Sequence, residues 1–162
     1  MKDKIVDAEK LRAISAEMRG RQQKLVLTNG CFDLLHVGHV RYLAAARALG
    51  EALAVAINGD DSVRLLKGPG RPLNGAADRA EIVAALEDVD YVVVFPEVRA
   101  THLLETVRPA VYVKGGDYTR ETLDPEERAA LESIGAEIRI VQFENGYSTS
   151  NLVENVKRTA GQ

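Results

Sequence analysis

The sequence predicts a parallel, doubly wound α/β fold with a five-stranded sheet. Short apolar, β-rich runs alternate with stretches of helical periodicity along the chain, the order expected when helices cross between parallel strands. The runs are continuously apolar, as strands covered on both faces must be. The segments that follow them, such as Thr28-Asn-Gly-Cys-Phe-Asp33, Asn58-Gly-Asp-Asp61 and Lys114-Gly-Gly-Asp-Tyr118, are polar and Gly-rich. They gather at the carboxyl edge of the sheet, where such folds bind ligands.

Each element follows from its residues. Ile5, Ala8, Leu11, Ile14 and Met18 lie at helical spacing and predict an amphipathic helix over 5–18. Residues 24–28 form the first strand, closed by Asn29-Gly30. A helix over 37–49 puts Val40, Leu43 and Ala44 on one face and stops at Gly50. Residues 53–57 are the second strand, and Asp60 or Asp61 caps a short helix through Leu66. The Gly/Pro-rich stretch 67–75 is a loop. A helix over 76–87, a strand over 91–95, a helix over 99–107 and a strand over 110–114 come next. Asp124 caps a helix that Pro125 opens and Gly135 ends. Residues 138–142 are the fifth strand, and Ser148 or Thr149 caps a last helix through Arg158.

At 162 residues the chain suits one domain, with 1–23 as a helical extension before the first strand. Its 46% hydrophobic and 28% charged residues exclude a disordered or collagen-like chain. The densest apolar run, Tyr91-Val-Val-Val-Phe95, is too short for a membrane span. The opening Met1-Lys-Asp-Lys4 is no secretory signal. Cys31 is the lone cysteine and forms no internal disulfide. A net charge of −3 argues against general nucleic-acid binding. The expectation is a soluble, cytoplasmic protein with neither nucleic acid nor membrane as partner.

The densest chemical signal is Thr28-Asn-Gly-Cys-Phe-Asp-Leu-Leu-His-Val-Gly-His39. It runs from a strand end into a helix start, whose unpaired N–H groups and positive dipole end suit an anion. Gly38 removes a side chain that would hold a phosphate away from the backbone. His36 and His39 can donate to phosphate oxygens and to charge developing during transfer. The same pair could bind zinc only with carboxylates completing the site, since His102 is the one other histidine. Lys67, opening the Gly/Pro loop, is placed to swing over a nucleotide and neutralise phosphate charge. Arg79 follows in the next helix; a salt bridge to Asp78 or Glu81 is the alternative to a substrate contact. Cys31 reads as a small buried residue at a strand end.

The segment from Thr28 to His39 resembles the His-x-Gly-His signature of the cytidylyltransferase-like nucleotidyltransferases. Asn58-Gly-Asp60, Leu66-Lys-Gly-Pro-Gly-Arg-Pro-Leu-Asn74, Val113-Lys-Gly-Gly-Asp-Tyr118 and Gly146-Tyr-Ser-Thr-Ser-Asn151 make the chain similar to the branch that adenylylates heptose 1-phosphate. The resemblance runs from about Lys24 to Lys157. It implies a Rossmann-like sheet and transfer of AMP from ATP to D-glycero-D-manno-heptose 1-phosphate, with Mg²⁺ carried by the triphosphate. With about 23 residues before the first strand, the expectation is a free-standing enzyme served by a separate kinase; relatives are often dimers, which leaves a homodimer open. His36, His39 and Lys67 are then the catalytic residues. Asn29, Gly30, Cys31, Phe32, Asp33, Gly38, Lys114, Gly116, Asp117, Ser148, Thr149 and Ser150 hold the nucleotide. Asp33, Asn58, Asp60, Arg71 and Arg79 take the acceptor, with Asp33 beside the metal or the substrate. Two positions depart from the branch, which commonly has Ser at Gly59 and a smaller residue at Tyr147. A cytidylyltransferase acting on glycerol 3-phosphate, and a silent nucleotide-binding module, are the alternatives.

Overall fold

The computed structural model describes residues 2–116, 118–142 and 146–161. Asp117, expected to hold nucleotide, lies outside the described residues. Five parallel strands, β1 (Leu25–Gly30), β2 (Ala52–Asn58), β3 (Tyr91–Phe95), β4 (Val111–Gly115) and β5 (Glu137–Val141), form one sheet in the order β3-β2-β1-β4-β5. The helices are α1 (Ala8–Gly20), α2 (Val37–Arg47), α3 (Asp60–Lys67), α4 (Ala76–Ala84), α5 (Thr101–Val107), α6 (Pro125–Ile134) and α7 (Thr149–Ala160).

The continuous apolar runs hide a period of two. Leu25, Leu27, Ala54, Ala56, Val93 and Tyr112 face a layer that includes Leu11 of α1, Leu103, Leu104 and Val107 of α5, and Leu131 of α6. Val26, Leu53, Val55, Ile57, Val111 and Val113 face Leu43 and Ala46 of α2 and Val83 of α4. Each fully buried leucine or valine of these layers contributes about 1.5–3 kcal/mol of transfer free energy. The segment before β1 belongs to this core: Leu11 is fully buried.

Several boundaries move for identifiable reasons. α1 begins at Ala8 because Asp7 caps it, accepting from Lys10 N at 2.7 Å. Ile5, expected in that helix, instead bridges to Val92 at the sheet edge. Gly59 takes the cap position of α3, so Asp60 and Asp61 lie in its first turn, where carboxylates favour the dipole. α4 stops at Ala84 and α5 starts at Thr101, leaving 96–100 as a strap across the sheet end. α6 runs as expected, from its Asp124 cap to Gly135. Ser148 caps α7, its Oγ accepting from Asn151 N at 3.1 Å. No helix of the described residues is long and apolar enough to cross a membrane.

Gly50 does more than end α2. A Cβ there would stand 2.6 Å from the Lys24 carbonyl oxygen and 2.7 Å from Val26 Cγ2. The turn into β2 therefore presses directly on β1. Gly50→Ala should cost about 1–3 kcal/mol by overpacking, seen as a lower urea midpoint with an unchanged slope.

Candidate active site

At the carboxyl ends of β1 and β4 the sheet opens into a cavity of about 600 Å³. β1 leads to α2 on one face, while β4 leads to α6 on the other, so the crevice between them stays open. Of the residues singled out in the sequence, Asn29, Gly30, Cys31, Phe32, Asp33, His39, Asn58, Lys67, Arg71, Lys114, Thr149 and Ser150 line it. His36, Gly38, Asp60, Arg79, Gly116 and Ser148 are not part of that lining.

The start of α2 is built around the two histidines. Their rings lie close, tilted by 36° with centroids 3.9 Å apart. The His36 backbone N–H donates to His39 Nδ1 at 3.3 Å. Nδ1 therefore serves as an acceptor, and the neutral ring carries its proton on Nε2. Burial, then the neighbouring His36, pushes the His39 pKa down to about 4, and burial lowers that of His36 as well. Both are neutral imidazoles at pH 7. His36 Nδ1 is buried without a hydrogen-bond partner among the described residues. Gly38 lies beneath this ring: a Cβ there would be 2.9 Å from His36 Nδ1 and 3.0 Å from the Tyr147 Cβ. Its missing side chain makes room for these side chains, where the sequence suggested room for a phosphate.

The N-terminus of α7 meets the same loop. Thr149 Oγ1 donates to the Leu34 carbonyl at 3.3 Å, and Thr149 and Ser150 line the cavity. Two helix starts thus converge on one space, with backbone N–H groups available to an anion. Lys67, the last residue of α3, is exposed and lines the cavity from the side. Burial pushes the Cys31 thiol up despite the nearby Lys67 and Arg79 cations. It is a neutral thiol, unsuited to nucleophilic attack.

Three residues expected at the substrate are engaged within the protein itself. Arg79 is fully buried, with Nε donating to the Asn74 carbonyl at 2.9 Å, Nη1 to the Cys31 carbonyl at 2.6 Å and Nη2 to Asp60 Oδ1 at 2.7 Å. It joins β1, α3 and the Gly/Pro loop, and its acidic partner is Asp60 rather than Asp78 or Glu81. Asp60 is likewise occupied as that partner. Asp33 accepts from Arg71 Nε at 2.7 Å, from Leu73 N at 2.8 Å and from Asn74 N at 3.0 Å. Burial alone would raise its pKa, but the Asn74 and Leu73 N–H groups and then Arg71 outweigh it and hold it below the usual range. A carboxylate so saturated holds the loop and has little left for a metal. Arg71 keeps further N–H groups beyond the one given to Asp33. Asn58 Nδ2 donates to the Glu97 and Val98 carbonyls at 3.2 and 3.3 Å, fixing the strap.

Among the described residues no group of three or more His, Cys, Asp or Glu could hold a metal ion. Sequence reasoning missed Tyr112, Tyr42 and Glu127. Tyr112 O–H donates to Asn29 Oδ1 at 2.6 Å. Tyr42 O–H donates to the Val113 carbonyl at 3.2 Å and shares a 2.7 Å hydrogen bond with Thr28. In the sequence both tyrosines look like core residues of a strand and a helix.

Arg79→Met should leave the Cys31 and Asn74 carbonyls unpaired and destabilise the fold by about 2–4 kcal/mol, measurable by urea denaturation. The lowered His39 pKa has a definite sign. Between pH 6.5 and about 4 the unfolded chain binds a proton that the folded chain refuses, so stability falls as pH drops through that window. Melting temperatures across it should show this loss, and His39→Gln should flatten it.

The chain is 50% identical to a bifunctional protein HldE of Geotalea uraniireducens over 95% of its own length and 31% of the relative's. It is 46% identical to that of Geobacter sulfurreducens over 98% of its length and 32% of the relative's. It therefore spans about a third of these curated relatives. A crystal structure of the lipopolysaccharide core biosynthesis protein from Thermoplasma volcanium matches with a TM-score of 0.63 and 25% identity, covering 78% of this chain and 99% of that one. The model of the cytidylyltransferase-like family matches residues 27–155, and the chain belongs to that family.

Proposed function

We propose that the chain transfers AMP from ATP to D-glycero-D-manno-heptose 1-phosphate, forming ADP-heptose and pyrophosphate. The observation that carries this reading is the convergence of His39, the α7 start and Lys67 on one cavity at the sheet's reversal point. The identities of 46–50% to bifunctional proteins HldE, together with the heptose-branch segments at 66–74 and 113–118, support the choice of acceptor.

The chemistry needs no covalent intermediate. A phosphate oxygen of the sugar 1-phosphate attacks the α-phosphorus of ATP, a new P–O bond forms, and the bond to the bridging oxygen breaks. That electron pair leaves with pyrophosphate. Catalysis is then positioning and charge stabilisation. His39 Nε2–H donates to oxygen as charge builds, while the α7 start holds the outer phosphates and Lys67 neutralises charge at the side. Arg71 and the strap at Val98–Arg99 form the acceptor wall. Mg²⁺ would neutralise the triphosphate; that ion commonly keeps waters and phosphate oxygens as ligands, which suits a site without a carboxylate cage.

The deciding assay offers ATP or CTP with both anomers of heptose 1-phosphate and with glycerol 3-phosphate, and follows pyrophosphate. ATP with a heptose 1-phosphate should be preferred. A preference for CTP with glycerol 3-phosphate would establish the cytidylyltransferase alternative, and no turnover with any pair would favour a silent module. His39→Ala should lower turnover by about 10²–10³, the scale of one lost oriented donor. A change in nucleotide affinity alone would make His39 a binding residue.

A further inference from the structure

Glu127, on the first turn of α6, is the buried charge that the mechanism above leaves unused. Its side chain is 5% exposed, yet it lines the cavity. One oxygen, Oε1, accepts from the Ala100 N–H at 2.9 Å. The other, Oε2, lies 3.9 Å from Lys114 Nζ, whose side chain is 17% exposed. The ammonium also approaches Asn29 Oδ1 at 3.5 Å and Tyr112 Oη at 3.4 Å, and sits 5.1 Å over the Tyr118 ring. Burial and then the Glu127 charge push the Tyr112 phenol well up, so it stays protonated and donates to Asn29.

A carboxylate is costly in a cavity that must accept a polyanion, because it is desolvated and repels the ligand. The bond to Ala100 does not require it, since a glutamine oxygen would accept from that N–H equally well. What the charge adds is an anchor for Lys114. Asn29 and Tyr112 offer the ammonium neutral oxygens at 3.5 and 3.4 Å, and the carboxylate adds the opposite charge that draws it to the junction of β1 and β4. Through Ala100, Glu127 also grips the strap that Asn58 holds from the other side, and that strap brings Val98 and Arg99 to the cavity.

We propose that Glu127 is a positioning residue for nucleotidyl transfer: it fixes Lys114 where the ammonium meets the nucleotide phosphates, and it sets the acceptor wall in register with that contact. This inference rests on the nucleotidyl-transfer reading and goes beyond it by assigning Glu127. The test compares Glu127→Gln, Lys114→Met and the double variant by pyrophosphate release, with ATP binding measured by calorimetry.

Glu127→Gln keeps the Ala100 bond and removes one negative charge. ATP should bind more weakly, though by less than the loss seen for Lys114→Met, because the ammonium loses its fixed place but keeps its charge. Its kcat should fall by about 10–10² through misplacement of the ammonium. Lys114→Met should weaken ATP binding, and the double variant should turn over no more slowly than Lys114→Met. A purely structural Glu127 would give unchanged kcat with lower stability, or losses that add to those of Lys114→Met; either result overturns the proposal. Glu127→Asp, which draws the carboxylate back by one methylene, provides the same kinetic comparison if the glutamine variant does not fold. An inactive wild type would sink the transfer reading alone, because unchanged or tighter ATP binding by Glu127→Gln would still reject the inference, and weaker binding that disappears in the Lys114→Met background would still support it.

Discussion

The reversal of strand order between β1 and β4 is the constraint on which the site depends. Neighbouring strands that send their helices to opposite faces leave a gap that no crossover covers. Every other feature supplies that gap with chemistry. α2 brings the neutral imidazole of His39, α7 brings hydroxyls and backbone donors, and β4 with α6 brings Lys114 and Glu127. The apolar layers above and below the sheet make the strand ends rigid enough to hold these groups in place.

Around the rim, buried charge acts chiefly on the protein itself. Arg79 and Asp33 spend their hydrogen bonds on backbone groups of the Gly/Pro loop and its neighbours. A loop rich in glycine and proline has no ladder of its own to satisfy its N–H and C=O groups. These two side chains take that part. They thereby set the position from which Lys67 and Arg71, at the start and middle of the loop, approach the cavity.

The strands and the α6 boundaries were legible in the sequence because apolar runs and cap residues are local signals: Asp124, Pro125 and Gly135 each mark their own position. The cluster His36–His39 was legible for the same reason. The internal bonds of Arg79 were not legible because nothing local shows whether a guanidinium faces solvent or three carbonyl and carboxylate oxygens that are far apart in the chain. The same holds for Asp33, whose donors lie about forty residues later. Glu127 escaped notice because, read locally, it is one more acid in a helix's first turn, a common dipole-favouring position. Only the packing of α6 against the strap reveals that its carboxylate faces inward.

α7 has a consequence of its own. None of its residues from Thr149 to Ala160 is buried, and Leu152 and Val156 are 37% and 67% exposed. A helix without a buried face opens locally at little free-energy cost. The element whose first turn contributes half of the anion cradle is thus the one least secured by the core. A polyanion resting on Thr149 and Ser150 would add contacts that the core does not supply, so that occupancy would also raise the stability of the last helix.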